Sequence, residues 1–332
     1  MASNRVCKIL GITKPVVQAP LYWLTSPKFC AAVSNAGGLG VLGVCCDMVV
    51  EYRKSIQEMR RLTDKPFGFN AFPKAFDPYG FSKATIELCK EEGVKTIVFV
   101  GETSEEEIAK LKEDGFTVIV REINPSVRGA QKAVKAGADI IVATGCDEGG
   151  TMPRLSTGTF AQVALLKEAV KVPILAAGGI VNETMAKASA VVGAEGAFVG
   201  TRLILSEENP AALNVKQDIL KTHPDDYIVY TIMNGLARYR TTPHKIGKDG
   251  FLANKKNDFD PTTGSFYEGL IKGNLDASVN SVSNLAPLIK SIDPCKKIVE
   301  EIAKGYIYIY PSNTGNNNTI IEVCDSVKCD KD

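Results

Sequence analysis

The sequence predicts an α/β fold of the TIM (β/α)8 barrel type, with a helical and loop insertion after the eighth strand. Three observations carry that prediction. Eight short apolar runs alternate with helix-length segments by about residue 200. Each run is apolar nearly throughout, as a strand buried on both faces requires. The last two runs, Pro173-Ile174-Leu175-Ala176-Ala177-Gly178-Gly179 and Gly196-Ala197-Phe198-Val199-Gly200-Thr201-Arg202, both close on glycine. The loops after strands 7 and 8 of such a barrel commonly hold phosphate. A doubly wound sheet is the alternative, but it usually has fewer strands in a row and a single glycine-rich first turn.

The first six strands are expected over residues 15–19, 38–42, 66–71, 96–100, 117–120 and 139–143. Ser26 or Pro27 opens a helix through Phe29, Cys30, Ala32 and Val33 that stops at Gly37-Gly38. Ser82 begins another, ending at Glu92-Gly93. Ser104 precedes Glu105-Glu106-Glu107, which puts acid in a first turn, and Gly115 ends that helix. Ser126 starts one that stops at Gly137, and residues 182–192 fill the gap between the last two strands. Hydroxyl caps at the start and glycine at the end are the expected punctuation.

Residues 1–205 therefore form the barrel strands. Residues 206–285 read as an insertion beside the C-terminal mouth, placed to act as a lid. Short helices are expected there near residues 210–221 and 225–236, followed by a polar stretch over 247–263. Residues 284–306 look helical again, with 286–306 as the closing helix of the barrel. The remainder, 307–332, carries Asn313-Thr314-Gly315-Asn316-Asn317-Asn318 and reads as a weakly ordered polar tail.

Composition narrows the function. The 332 residues hold 39 Lys plus Arg against 38 Asp plus Glu, so no global field favours nucleic acid. No apolar run reaches membrane-spanning length, and Met1-Ala2-Ser3-Asn4-Arg5 lacks a signal-peptide core. The nine cysteines form no Cys-x-x-Cys pair and read as reduced thiols of a cytoplasmic protein. Cys146 is set apart because it lies just beyond a strand end, where a redox role is conceivable.

The residues past the strand ends converge on one face of a barrel. They are Gln18, Ala19, Pro20 and Leu21, then Asn70, then Asp147-Glu148-Gly149-Gly150-Thr151, then the two glycine sites. Together they offer backbone donors for a phosphate, small residues that admit a flat ring, and an amide. No metal cluster is visible. The two histidines, His223 and His244, both fall in the insertion, and no serine–histidine or cysteine–histidine pair stands among the strand ends. Much binding capacity with little acid–base equipment points to a cofactor that does the chemistry. Asp147 and Glu148 are adjacent, so only one can face the site. A solvated loop carboxylate is the plainer reading.

Five segments in order carry a family resemblance. They are Pro15-Val16-Val17-Gln18-Ala19-Pro20, Ala31-Ala32-Val33-Ser34-Asn35-Ala36-Gly37-Gly38-Leu39-Gly40, Leu62-Thr63-Asp64-Lys65-Pro66-Phe67-Gly68-Phe69-Asn70, Ala176-Ala177-Gly178-Gly179-Ile180 and Val199-Gly200-Thr201-Arg202. The chain resembles the nitronate monooxygenase (2-nitropropane dioxygenase) family. That family also contains FMN-dependent enoyl-acyl carrier protein reductases and some NAD(P)H:quinone reductases. The resemblance spans roughly residues 9–205 and returns at Gly273-Asn274-Leu275-Asp276 and Asn284-Leu285-Ala286. It implies FMN in a TIM barrel, with the phosphate on Gly178, Gly179, Gly200 and Thr201. It implies Gln18, Ala19, Pro20, Leu21, Asn70 and Ala177 near the ring and ribityl chain, with Gly149, Gly150 and Asn284 completing the cofactor set. Trp23 is then either a lid over the flavin or a packing residue.

One departure matters. The family pattern after strand 6 is Glu-Ala-Gly-Gly-His, and Thr151 stands where the histidine would be. Threonine is no general base near neutral pH. Thr151, Asp147, Tyr239 and His244 are the catalytic candidates, with Tyr22 as a further proton donor. The expected function is an FMN-dependent oxidation of nitronates with O2, because a nitronate is already deprotonated and needs no base. An NAD(P)H-dependent reduction of an enoyl thioester or similar activated alkene is the alternative, and a non-catalytic flavin-binding protein is the third. The partner is a small molecule. NAD(P)H as co-substrate and a homodimer stay open.

Overall fold

The computed structural model describes residues 4–43, 49–77 and 80–307. Cys45, Cys46, Cys324, Cys329 and the polar tail from 308 lie outside them. The strands in chain order are β1 (Val16–Gln18), β2 (Gly40–Leu42), β3 (Phe67–Ala71), β4 (Thr96–Gly101), β5 (Thr117–Glu122), β6 (Ile140–Thr144), β7 (Gly150–Pro153), β8 (Ile174–Ala177), β9 (Gly196–Val199), β10 (Ile228–Ile232) and β11 (Ala237–Thr241). Eight of them form one parallel sheet in the order β1-β9-β8-β6-β5-β4-β3-β2. A parallel bridge between Val17 and Leu39 joins the two ends of that order. The sheet is a (β/α)8 barrel, as the apolar runs predict.

The helices are α1 (Arg5–Leu10), α2 (Pro27–Asn35), α3 (Val49–Leu62), α4 (Phe81–Glu91), α5 (Glu105–Glu113), α6 (Val127–Lys135), α7 (Thr159–Ala169), α8 (Glu183–Val191), α9 (Thr201–Ile204), α10 (Leu213–Lys221), α11 (Lys245–Lys255) and α12 (Cys295–Ile307). Ser26 and Ser126 cap α2 and α6 through their hydroxyls. Val6 and Leu10 of α1 join Val17, Val98, Ile140 and Leu175 in the core inside the barrel. They close its N-terminal end and leave the other end for a ligand. A second apolar layer lies between the strands and the outer helices.

Two expectations fail beyond the eighth barrel strand. Residues 225–236 are not helical: 228–232 form β10, which pairs antiparallel with β11. The run Ile228-Val229-Tyr230-Thr231-Ile232 is β-branched and aromatic, and that propensity wins. Met233 and Asn234 at positive φ, with Gly235, turn the chain between the strands. The polar stretch 247–263, for which no element is expected, has α11 over its first part. Residues 284–306 are not one helix. A short 3-10 turn (Ala286–Leu288) comes first, and α12 starts only after Pro294, which is compatible with a helix start but not its interior. α12 then packs on α8 and α2, with Tyr306 Oη 2.7 Å from Ser189 Oγ.

A buried ion pair ties this C-terminal segment to the barrel. Arg202 Nη2 lies 2.6 Å from Asp293 Oδ2, and both side chains are under 10% exposed. Burial raises the Asp293 carboxyl, but Lys297, Ser291 and Arg202 outweigh it and hold the group down to about 2. Its folded pKa is depressed, so its contribution is present above the ordinary carboxylate range and lost as pH falls through that range toward 2. Asp293→Asn leaves a buried unpaired cation and should cost about 3–5 kcal/mol. Denaturant unfolding at neutral pH measures that loss, and the acid limb of the variant's stability curve should be shallower. A methyl on Gly40 would overlap the backbone carbonyl of Cys30, where β2 runs close against α2. Gly40→Ala should therefore destabilise by about 1–3 kcal/mol in the same assay.

Candidate active site

A cavity of about 290 Å³ opens at the C-terminal mouth of the barrel. Strand exits supply its base, and the segment after β9 supplies its outer wall. Ala19, Pro20 and Leu21 follow β1, and Asn70 ends β3 nearby. Tyr239 of β11 enters the wall with Phe266, Leu270, Asn280 and Ser281.

One corner is a glycine cradle. Gly178 and Gly179 follow β8 with φ of 104° and 75°, a backbone that other residues rarely adopt. A Cβ on Gly178 would lie 2.7 Å from Thr159 Oγ1 and 2.8 Å from Glu148 N. Gly200 follows β9, and the nearest atoms to a Cβ there are Leu21 and Ala19 at 3.8 and 3.9 Å. The backbone N–H groups of Gly178, Gly179 and Gly200 have no hydrogen-bond partner among the described residues. Unpartnered amides beside close-approaching backbone are what an anion needs.

The loop after β6 sends its two carboxylates in opposite directions. Asp147 turns to structure: its Oδ2 accepts from Thr159 N at 2.6 Å and its Oδ1 from Asn284 Nδ2 at 2.8 Å. Asp147 does not line the cavity; Glu148 does. Arg121, at the end of β5, donates through Nη2 to Glu148 Oε1 at 2.6 Å and to Thr151 O at 3.0 Å. The two side chains are only 8% and 14% exposed. Arg240 of β11 donates to the carbonyls of Glu148 and Cys146 at 2.7 and 3.0 Å. Two guanidinium groups therefore fix the loop. Burial pushes the Glu148 carboxyl up to about 7, although Arg121 and Arg240 pull it down.

The remaining predicted residues divide. Ala19, Pro20, Leu21, Asn70, Gly149, Gly150, Thr151, Ala177, Gly178, Gly179, Gly200, Thr201 and Tyr239 all line the cavity. Thr151 sits opposite Tyr239 in the β7–β11 ladder. Tyr239 is buried, accepts from Ser281 Oγ at 2.9 Å, and is pushed up to about 12 by burial. Gln18 does not face the cavity; its amide bridges Val41 N and Ala19 O within the barrel wall. Asn284 holds Asp147 instead. His244 does not line the cavity, and its Nε2 lies 2.9 Å from Asp218 Oδ1. Tyr22 is exposed at the mouth, edge-on to Phe266. Trp23 packs on Tyr267 at 5.1 Å and does not line the cavity. Burial raises the Cys146 thiol, and Asp147 adds to it, so its thiolate is disfavoured.

Sequence reasoning missed Arg121 and set Glu148 aside. The signal for Arg121 was a charge directly after the apolar run Thr117-Val118-Ile119-Val120, still within the strand. Among the described residues no group of three or more His, Cys, Asp and Glu could hold a metal, and no helix is long and apolar enough to cross a membrane.

The chain matches the nitronate monooxygenase family over residues 3–305. It is 31% identical over 283 residues to the (3aS,4S,5R,7aS)-5-hydroxy-7a-methyl-1-oxo-octahydro-1H-indene-4-carboxyl-CoA dehydrogenase of Rhodococcus jostii (strain RHA1), covering 81% of this chain and 76% of that one. It is 32% identical over 242 residues to the nitronate monooxygenase of Paraburkholderia phytofirmans, covering 60% and 66%. The structure of FabK from Thermotoga maritima superposes with a TM-score of 0.83 at 30% identity, covering 92% of this chain and 96% of that one. With a barrel of that shape, a glycine cradle at its mouth and a match along nearly its whole described length, this chain belongs to the nitronate monooxygenase family of flavin-dependent oxidoreductases.

Proposed function

We propose that this enzyme binds FMN and oxidises nitronates with molecular oxygen. The observation that carries the reading is a buried guanidinium, Arg121, in the same cavity as the glycine cradle. A nitronate is a planar anion with two adjacent oxygens, and a guanidinium matches that shape in charge and geometry.

The residues present fit the cofactor. The unpartnered amides of Gly178, Gly179 and Gly200 form an anion cradle, and Ala19, Pro20 and Ala177 give a small apolar surface for a flat ring. The chemistry that FMN supplies when bound is transfer of the substrate's electrons to oxygen. The chain's own part is to hold and orient. Thr201 Oγ1 is fixed by Ser283 N at 3.1 Å, which ties the cradle to the segment after β11. Phe266, Leu270 and Tyr239 reduce water access from the outer side. Residues 206–285 thus serve the substrate side of the pocket.

A second reading has a specific observation in its favour. Glu148 and Tyr239 both face the cavity, and a protonated carboxyl or a phenol could give a proton to an alkene carbon. The reaction would be reduction of an enoyl thioester or similar activated alkene, with NAD(P)H as reductant.

Purified protein should be yellow and release about one FMN per chain on denaturation. A colourless protein that takes up no FMN, or one that carries FAD, contradicts the reading. Gly200→Ala should fold as the wild type does, because its Cβ meets nothing closer than 3.8 Å. Its FMN affinity should still fall by about tenfold, since the methyl occupies the cradle, a change of about 1.4 kcal/mol. Unchanged affinity would remove the phosphate from that corner. Anaerobic mixing with propionate 3-nitronate should bleach the bound flavin, whereas NADH and NADPH should not. Bleaching by a pyridine nucleotide and not by the nitronate would select the alkene reductase instead.

A further inference from the structure

The family's histidine is absent, yet the cavity contains a carboxylate, Glu148, paired with a cation that the sequence reading did not single out. Arg121 uses only Nη2 for its bonds to Glu148 and Thr151. Its Nε and Nη1 have no hydrogen-bond partner among the described residues, and the side chain lines the cavity. Glu148 lines the same cavity and neutralises that cation. We propose that the two residues form a proton-coupled anion site: Arg121 holds the nitronate, and Glu148 takes up one proton as that anion binds or forms. The proposal rests on the nitronate reading for its substrate.

Charge balance is the physical argument. In the resting cavity Glu148 and Arg121 contribute one negative and one positive charge. A second anion beside Arg121 would leave a net negative charge in a buried place, and an uncompensated buried charge is strongly unfavourable. Protonating Glu148 removes that cost and frees Arg121 for the incoming oxygens. With a neutral nitroalkane the proton comes from the substrate. The bond from the carbon next to the nitro group to hydrogen breaks, and the proton goes to a Glu148 carboxylate oxygen. The electron pair stays on the substrate as the C=N bond, and the negative charge rests on the nitro oxygens. The cavity then contains one positive and one negative charge, as before. With a preformed nitronate the proton comes from solvent.

The groups facing Glu148 allow this. Arg121 comes from β5, and Arg240 and Tyr239 come from β11. Asp147 faces away, toward Thr159 and Asn284. Tyr239 stays neutral at ordinary pH. Burial raises Glu148 to about 7, so both of its forms are accessible near neutrality. Raised folded-state affinity for a proton also means that wild-type stability falls as pH rises from the ordinary carboxylate range through about 7.

The test uses propionate, a planar two-oxygen anion that cannot be oxidised in this way. FMN-loaded wild-type protein is titrated by calorimetry at several pH values, each in two buffers of different ionisation heat. Propionate is ionised throughout, so any proton taken up belongs to the protein. Above about pH 7, binding should take up about one proton per propionate, and affinity should weaken by about tenfold per pH unit. Well below pH 7, uptake should vanish and affinity should level off. Absence of binding at low pH, or binding with no uptake and no pH dependence, overturns the proposal. Glu148→Gln should bind propionate at every pH without proton uptake, whereas a retained pH dependence assigns the proton elsewhere. Proton uptake with propionate alongside failure of nitronate to reduce the flavin would overturn the nitronate reading and keep the anion site. Flavin reduction by nitronate without uptake would do the reverse.

Discussion

Closure of the eight-stranded sheet is the constraint on which the rest depends. An open sheet would spread its strand exits along an edge, whereas a closed one brings all of them to one mouth. Closure here is narrow. Gln18 N donates to Leu39 O and Leu39 N to Val16 O, both at 2.9 Å. The Gln18 side chain adds a third link by accepting from Val41 N at 2.9 Å. A residue that looked like a cofactor ligand thus acts as part of the barrel wall. It also explains why Ala19, Pro20 and Leu21 sit beside Gly200 although far from it in sequence: β1 and β9 are neighbours in the barrel.

Upon that mouth the chain builds two kinds of polar feature. The glycine cradle presents backbone amides whose direction is fixed by positive φ and by close neighbours. The loop after β6 presents side chains whose direction is fixed by Arg121 and Arg240. Adjacent acids take different tasks because different elements reach them. Thr159 N and Asn284 claim Asp147, and the Arg121 guanidinium claims Glu148. Burial then separates their chemistry, since only Glu148 sits in the cavity with a carboxyl raised toward neutrality.

The barrel was legible because its strands are buried on both faces and so are apolar throughout, and because glycine ends the two strands nearest the cradle. The insertion was harder to read. Residues 228–232 have alternating burial, and their partner β11 lies only a turn away, so the strand pair is settled by tertiary contact rather than by helix periodicity. The break at Pro294 was visible in principle but was overridden by the apolar pattern on either side. The orientation of Asp147 and Glu148 was not readable, because a neighbouring pair carries no direction until Thr159, Asn284 and Arg121 are placed. His244 shows the same limit: proximity to Arg238 and Arg240 in sequence says nothing of Asp218, which is its partner in the fold.

The central claim is that the barrel mouth holds a flavin phosphate on backbone amides from two neighbouring strand exits, with Arg121 and Glu148 facing the same cavity. A crystal structure of the protein grown with FMN tests it most directly. Phosphate density should lie against the amides of Gly178, Gly179 and Gly200, with Arg121 and Glu148 on the substrate side of the ring. Phosphate bound elsewhere, or a ring that fills the space between Arg121 and the cavity and leaves no room for substrate, would contradict it.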